Sequence, residues 1–83
     1  MKKKMKVGEL LVARCDLHLS IGENHSAGSE EAEEGDFFIF VDEKHYKNGE
    51  ETYIFLNQKT GSYIYWPKNT FDNTGKPYLE QVF

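Results

Sequence analysis

Eighty-three residues give room for one domain around one core, and a chain that short buries only about 60% of its unfolded surface. Cys15 is the sole cysteine, which excludes a cross-linked secreted scaffold and points to a reducing, cytoplasmic setting. A net charge of −4 disfavours unspecific nucleic-acid binding, and the longest apolar run, Phe37 to Val41, is far too short to cross a bilayer, so a soluble protein without membrane contact is expected.

Aromatic residues make up 14% of the chain, a content that suits strands better than helices. Residues 1–6, with four lysines, are read as a basic tail with no apolar segment behind it, and 7–83 as the domain. From Glu9 to Ile21 the pattern alternates, with Leu11, Ala13, Cys15, Leu17, Leu19 and Ile21 on one face. Period two over that length predicts one half-buried strand, with Cys15 packed as a small hydrophobe. Gly22 to Asp36 holds six of the fourteen acids and no Lys or Arg. With little to anchor it, this stretch is expected to be a long, mobile acidic loop.

Phe37 to Val41 is apolar on both faces, as in a central strand covered on two sides. Asn48-Gly49 between two β-rich runs predicts a hairpin with a two-residue turn. Lys59 to Ser62 turns the chain again, with Gly61 left-handed, into Tyr63-Ile64-Tyr65-Trp66, and Pro67 ends that strand. Asp72 to Pro77 reads as a loop and Tyr78 to Phe83 as a closing strand. Five short strands, a long first loop and two tight turns predict an all-β small barrel.

These residues resemble the Src-homology-3 family from about Gly8 to Phe71. Val12 to Leu17 is similar to its Ala-Leu-Tyr-Asp-Tyr strand, with Ala13 and Asp16 kept, and the acidic stretch stands where its first loop does. Gly35-Asp36 is similar to its Gly-Asp turn. Trp66 to Phe71 resembles its Pro-Ser-Asn-Tyr-Val segment, with Pro67 and Asn69 kept. The resemblance implies a five-stranded SH3-like barrel with a 3₁₀ turn before the last strand. It also implies a ligand site bounded by the acidic loop, Tyr53 and Pro67. The aromatic positions that grip proline-rich ligands in the family read Cys15, Leu17, Thr52 and Thr70 here, so a proline-rich peptide is not the expected ligand.

No pattern assembles chemistry. His18, His25 and His45 lack the paired spacing of a zinc site, and the acids lack the calcium-loop alternation, so neither metal nor cofactor is expected. Glycine loops for phosphate and nucleophile dyads are missing as well, and no enzyme is expected. Aromatics are in surplus: Tyr53, Tyr63, Tyr65, Trp66, Phe37 and Phe71 exceed what a small core needs if Leu11, Phe38, Phe40 and Phe55 already fill it. Such residues anchor protein contacts. The expected function is therefore a non-enzymatic protein-interaction module, a small adaptor or inhibitor. Tyr53, Tyr65, Trp66 and Pro67 are its contact residues, and Glu30, Glu31, Glu33 and Glu34 its charged rim. The alternative is a barrel binding single-stranded nucleic acid on exposed aromatics and lysines, which the acidic balance disfavours.

Overall fold

The computed structural model describes residues 5–22, 28–75 and 78–82. The fold is all-β, as expected, but among the described residues the strands number seven and not five. They are β1 (Leu10–Ala13), β2 (Leu17–Ser20), β3 (Ser29–Ala32), β4 (Phe37–His45), β5 (Glu51–Asn57), β6 (Tyr63–Pro67) and β7 (Leu79–Gln81). One helical stretch, α1 (Lys68–Thr70) running into a π-turn (Phe71–Gly75), joins β6 towards β7. A five-stranded antiparallel sheet has the order β6-β5-β4-β1-β7, and β2 pairs with β3 as a separate hairpin.

The two extra strands have local causes. The alternation from Glu9 to Ile21 is broken at Arg14–Asp16, where the Arg14 N–H donates to the Tyr78 carbonyl at 2.8 Å and the Asp16 carboxylate accepts from the Glu34 N–H at 3.0 Å. Those bonds hold a corner, so one expected strand becomes β1 and β2. Ser29 to Ala32, expected as mobile loop, is a strand in register with β2, from Leu17↔Ala32 to Ser20↔Ser29. Its anchor is Ala32, 1% exposed, and composition hid it because three polar residues precede one small apolar one. Residues 23–27 of that loop lie outside the described residues.

The sheets do not close into a barrel. Among the described residues, the backbone ties from the hairpin to β6 are the Ile21↔Ile64 bridge and the Gly22 N–H, 3.0 Å from the Tyr63 carbonyl. Gly22 then turns away at φ 76°, which stops the ladder before it can run along the edge. The Asn48-Gly49 turn also differs by one residue. Tyr46 N–H donates to the Glu50 carbonyl and Gly49 N–H to the Tyr46 carbonyl, which encloses Lys47, Asn48 and Gly49. That is a three-residue loop with the glycine, at φ 91°, as its left-handed member. Gly61 is left-handed as expected, at φ 77°.

The core lies between the sheet and the hairpin. Leu11, Ala13, Phe38, Phe40, Phe55 and Ile64 come from the sheet, and Leu19 and Ala32 from the hairpin. Each large side chain removed from water contributes about 1.5–3 kcal/mol. Phe71 closes the core. The expected 3₁₀ turn is one turn of α-helix followed by a π-turn, and the expected Asp72–Pro77 loop is helical as far as Gly75, because Phe71 has to reach inward. Its ring is 5.3 Å from Phe55, 5.5 Å from Tyr53 and 5.1 Å from Trp66, the last two edge-on. Phe71 is therefore core rather than surplus surface.

A bulge between Phe40 and Asp42 shifts the register of β4 against β5. Phe38 and Phe40 face the core before it, and Glu43 and His45 continue on that same face after it, beyond the edge of the core. Only one face of β4 is covered, against the expectation of two. Phe37 remains 47% exposed.

Candidate interaction groove

A groove of about 480 Å³ runs between β2 and β6. Its floor and walls are Leu17, Leu19, Ile64, Tyr65, Trp66 and Pro67, and Thr70 and Tyr78 close one end. The hairpin corner at Asp16 sets β2 opposite β6, and Pro67 starts the turn that brings Thr70 back alongside. Among the described residues neither Lys nor Arg lines it, and its one imidazole is His18, opposite Glu31 in the β2–β3 register. Tyr65 and Pro67 also line a second hollow, with Gly22, Tyr46, Asn48 and Thr52. These two residues form a ridge between the hollows.

The expected contact residues separate into two places. Tyr65, Trp66 and Pro67 come together in the groove. Trp66 is half-buried because its ring also packs on Phe55 and Phe71. Tyr53 does not reach the groove. It faces the core side of β5, edge-on to Phe40 at 5.6 Å, with the Lys68 ammonium 5.9 Å from its ring. Partial burial, then the charge of Asp72, push its phenol above the usual 10.0.

The four glutamates also divide. Glu30 accepts from Asn57 Nδ2 and from the Thr60 hydroxyl, both at 2.8 Å, and Glu33 pairs with Lys59 at 3.1 Å. Both bind the hairpin to the β5–β6 turn, and the Glu33 hydrogen bond holds the Lys59 ammonium above its usual 10.5. Glu31 is exposed beside His18, at the groove margin. Glu34 is exposed at the corner, where its N–H meets Asp16.

Sequence reasoning missed Asn57, 1% exposed at the inward position of β5 after Tyr53 and Phe55. A polar residue at an inward register position needs a partner, and that signal was present in the strand pattern. Leu17, Leu19 and Tyr78 were also missed as groove residues, because only the tertiary fold sets β2 against β6.

A second cluster joins Glu43, His45 and Glu51, whose ligand atoms lie within 4.8 Å of one another. His45 Nδ1 is 2.8 Å from Glu51, and Lys68 Nζ is 3.4 Å from Glu43 and 3.6 Å from Glu51. The Lys68 ammonium is within ion-pair distance of both Glu43 and Glu51, so the group reads as a compensated ion network rather than a metal centre. His45 Nδ1 is within hydrogen-bond distance of Glu51 while its ring stays largely exposed. His25 lies outside the described residues.

No family model matches the chain, and neither does any curated protein or solved structure.

Proposed function

We propose that the chain is a protein-interaction module that receives a partner segment in the β2–β6 groove, with the Tyr65–Pro67 ridge as its anchor. The observation that carries this reading is the lining: seven apolar or aromatic side chains and, among the described residues, no Lys or Arg, with Glu31 opposite His18 in the β2–β3 register. A hollow of that kind suits apolar side chains of a bound peptide, and Tyr and Trp are the residues that most often dominate such contacts. Among the described residues that lining offers a nucleic-acid backbone no cation, which weighs against the single-stranded nucleic-acid alternative.

The order of elements supports a relationship to the Src-homology-3 family, in an open form: a first strand, a hairpin, three antiparallel strands, a helical turn, and a last strand returning to β1. Leu17 and Thr70, which stand at family aromatic positions, both line the groove. The groove is therefore smoother than a proline-rich ligand needs, and the partner segment is expected to present aliphatic or aromatic anchors.

The test places a photo-crosslinking residue at His18 to capture and identify the partner. Binding kinetics of Tyr65→Ala and Thr70→Lys are then measured against it. Each should accelerate dissociation by about tenfold or more, the signature of a truncated anchor. Unchanged dissociation in both variants would refute the groove. Tight, steeply salt-dependent binding of a single-stranded oligonucleotide would favour the alternative.

A further inference from the structure

The five-stranded sheet has two apolar faces, and the core uses one. Leu11, Phe38, Phe55 and Ile64 point into the core, so their strand neighbours point the other way. On that outer face the register sets one row through four strands, Leu10–Ile39–Leu56–Tyr63. The row continues past the end of β7 to Val82, whose N–H donates to the Leu10 carbonyl at 3.1 Å. Val12 and Phe37 pair in the row on one side of it, and Ile54 and Tyr65 pair on the other. Ile54 is buried at 8% exposed, the other residues lie outside the core cluster, and Phe37, Tyr63 and Val82 are 47%, 53% and 43% exposed. Single exposed hydrophobes are ordinary, but a contiguous belt across every strand of a sheet marks a contact surface.

We infer that this belt is where two copies of the chain meet, sheet face on sheet face. Charge identifies the occupant. The charged residues bordering the belt are Asp42 and Lys44 on one side, in register with Ile54 and Thr52, and Glu80 and Arg14 on the other, with Arg14 3.9 Å from Glu80. Each border carries one acid and one base, and the four charges cancel, on a chain whose net charge is −4. A partner recognised through charge finds no field here, whereas two acidic copies repel less through this neutral face than through their acidic ones. A two-fold contact lays a patch on itself, and borders of mixed sign satisfy that condition.

Area sets the strength. With strands about 4.8 Å apart and same-face rows about 6.8 Å apart, the belt and its side chains cover about 450 Å². Two copies would bury about 900 Å², the class of weak, reversible associations rather than of obligate dimers.

Sedimentation equilibrium tests this over roughly 10 μM to 1 mM, where contacts of this size associate. The wild-type mass should rise with concentration from one chain towards two. Phe37→Lys and Tyr63→Lys sit at half-exposed positions that tolerate a lysine, and circular dichroism should show the fold kept. Each should raise the dimer dissociation constant at least about tenfold, as for a truncated interface anchor. Thr70→Lys, in the groove, should leave the dissociation constant unchanged. A single-chain mass throughout the range would overturn the inference, and so would association that both belt substitutions leave intact.

Discussion

The β4–β5–β6 part of the sheet and the β2–β3 hairpin pack against one core but are held to it by different forces. The sheet supplies Phe38, Phe40, Phe55 and Ile64 to the interior, and Phe71 is laid over them by the helical turn. The hairpin supplies Leu19 and Ala32, with Leu17 and Ile21 partly buried beside them, and much of its remaining attachment is polar: Glu30 to Asn57 and Thr60, Glu33 to Lys59, and the backbone ties of Ile21 and Gly22 to β6. Burial is non-directional and tolerates errors of placement, whereas hydrogen bonds from a buried amide hold one register and no other. An acidic strand can therefore be well positioned without being hydrophobic.

Substituting Phe55→Ala should give the largest effect. Its ring is fully buried between Phe40, Trp66 and Phe71, and the cavity left behind should cost about 3–5 kcal/mol of global stability in urea denaturation. A cost below about 1 kcal/mol would mean that the aromatic cluster is not what holds the sheet to the core.

Asn57→Ala probes the other attachment. It removes the Nδ2 donor to Glu30 and the Oδ1 acceptor of the Lys59 N–H, at 2.8 and 3.0 Å. The expected loss is about 1–3 kcal/mol, with amide exchange accelerating in β2 and β3 more than in β4 and β5. Uniform acceleration across all strands would show that the hairpin is not a separately attached unit.

The smallest effect is alkaline and local to the sheet. Tyr53 and Lys68 both hold their protons above their usual 10.0 and 10.5, Tyr53 by partial burial and then by Asp72, Lys68 chiefly by the charge of Tyr53. A raised folded value means stability that is complete below the unfolded value and falls as pH rises through the folded one. Stability should therefore decline above about pH 10, and Tyr53→Phe should reduce that decline while leaving neutral pH unaffected. Ultraviolet titration should show one phenol ionising later than the others. If Tyr53→Phe leaves the alkaline slope unchanged, the slope arises elsewhere.

What residue order determined by itself was the all-β class, the turns at Gly49 and Gly61, the strand end at Pro67 and the inward set Leu11, Phe38, Phe40 and Phe55. Each follows from a short-range rule: period-two alternation, a glycine that can take positive φ, a ring nitrogen that cannot donate. The corner at Asp16, the strand Ser29–Ala32 and the inward turn of Phe71 rest on partners distant along the chain: Glu34, 18 residues from Asp16, the β2 residues, 9 to 15 residues from their partners in Ser29–Ala32, and Tyr53 and Phe55, 18 and 16 residues from Phe71. No local window contains both ends of such a contact. The groove was half legible for the same reason: Tyr65, Trp66 and Pro67 are neighbours in sequence, but their opposite wall is β2, more than forty residues earlier. The packing of Leu19 and Ala32 onto the sheet, with Leu17 and Ile21 beside them and the Ile21–Ile64 bridge, decides that the two walls face each other, because burying that side leaves the hairpin one face on which to lie.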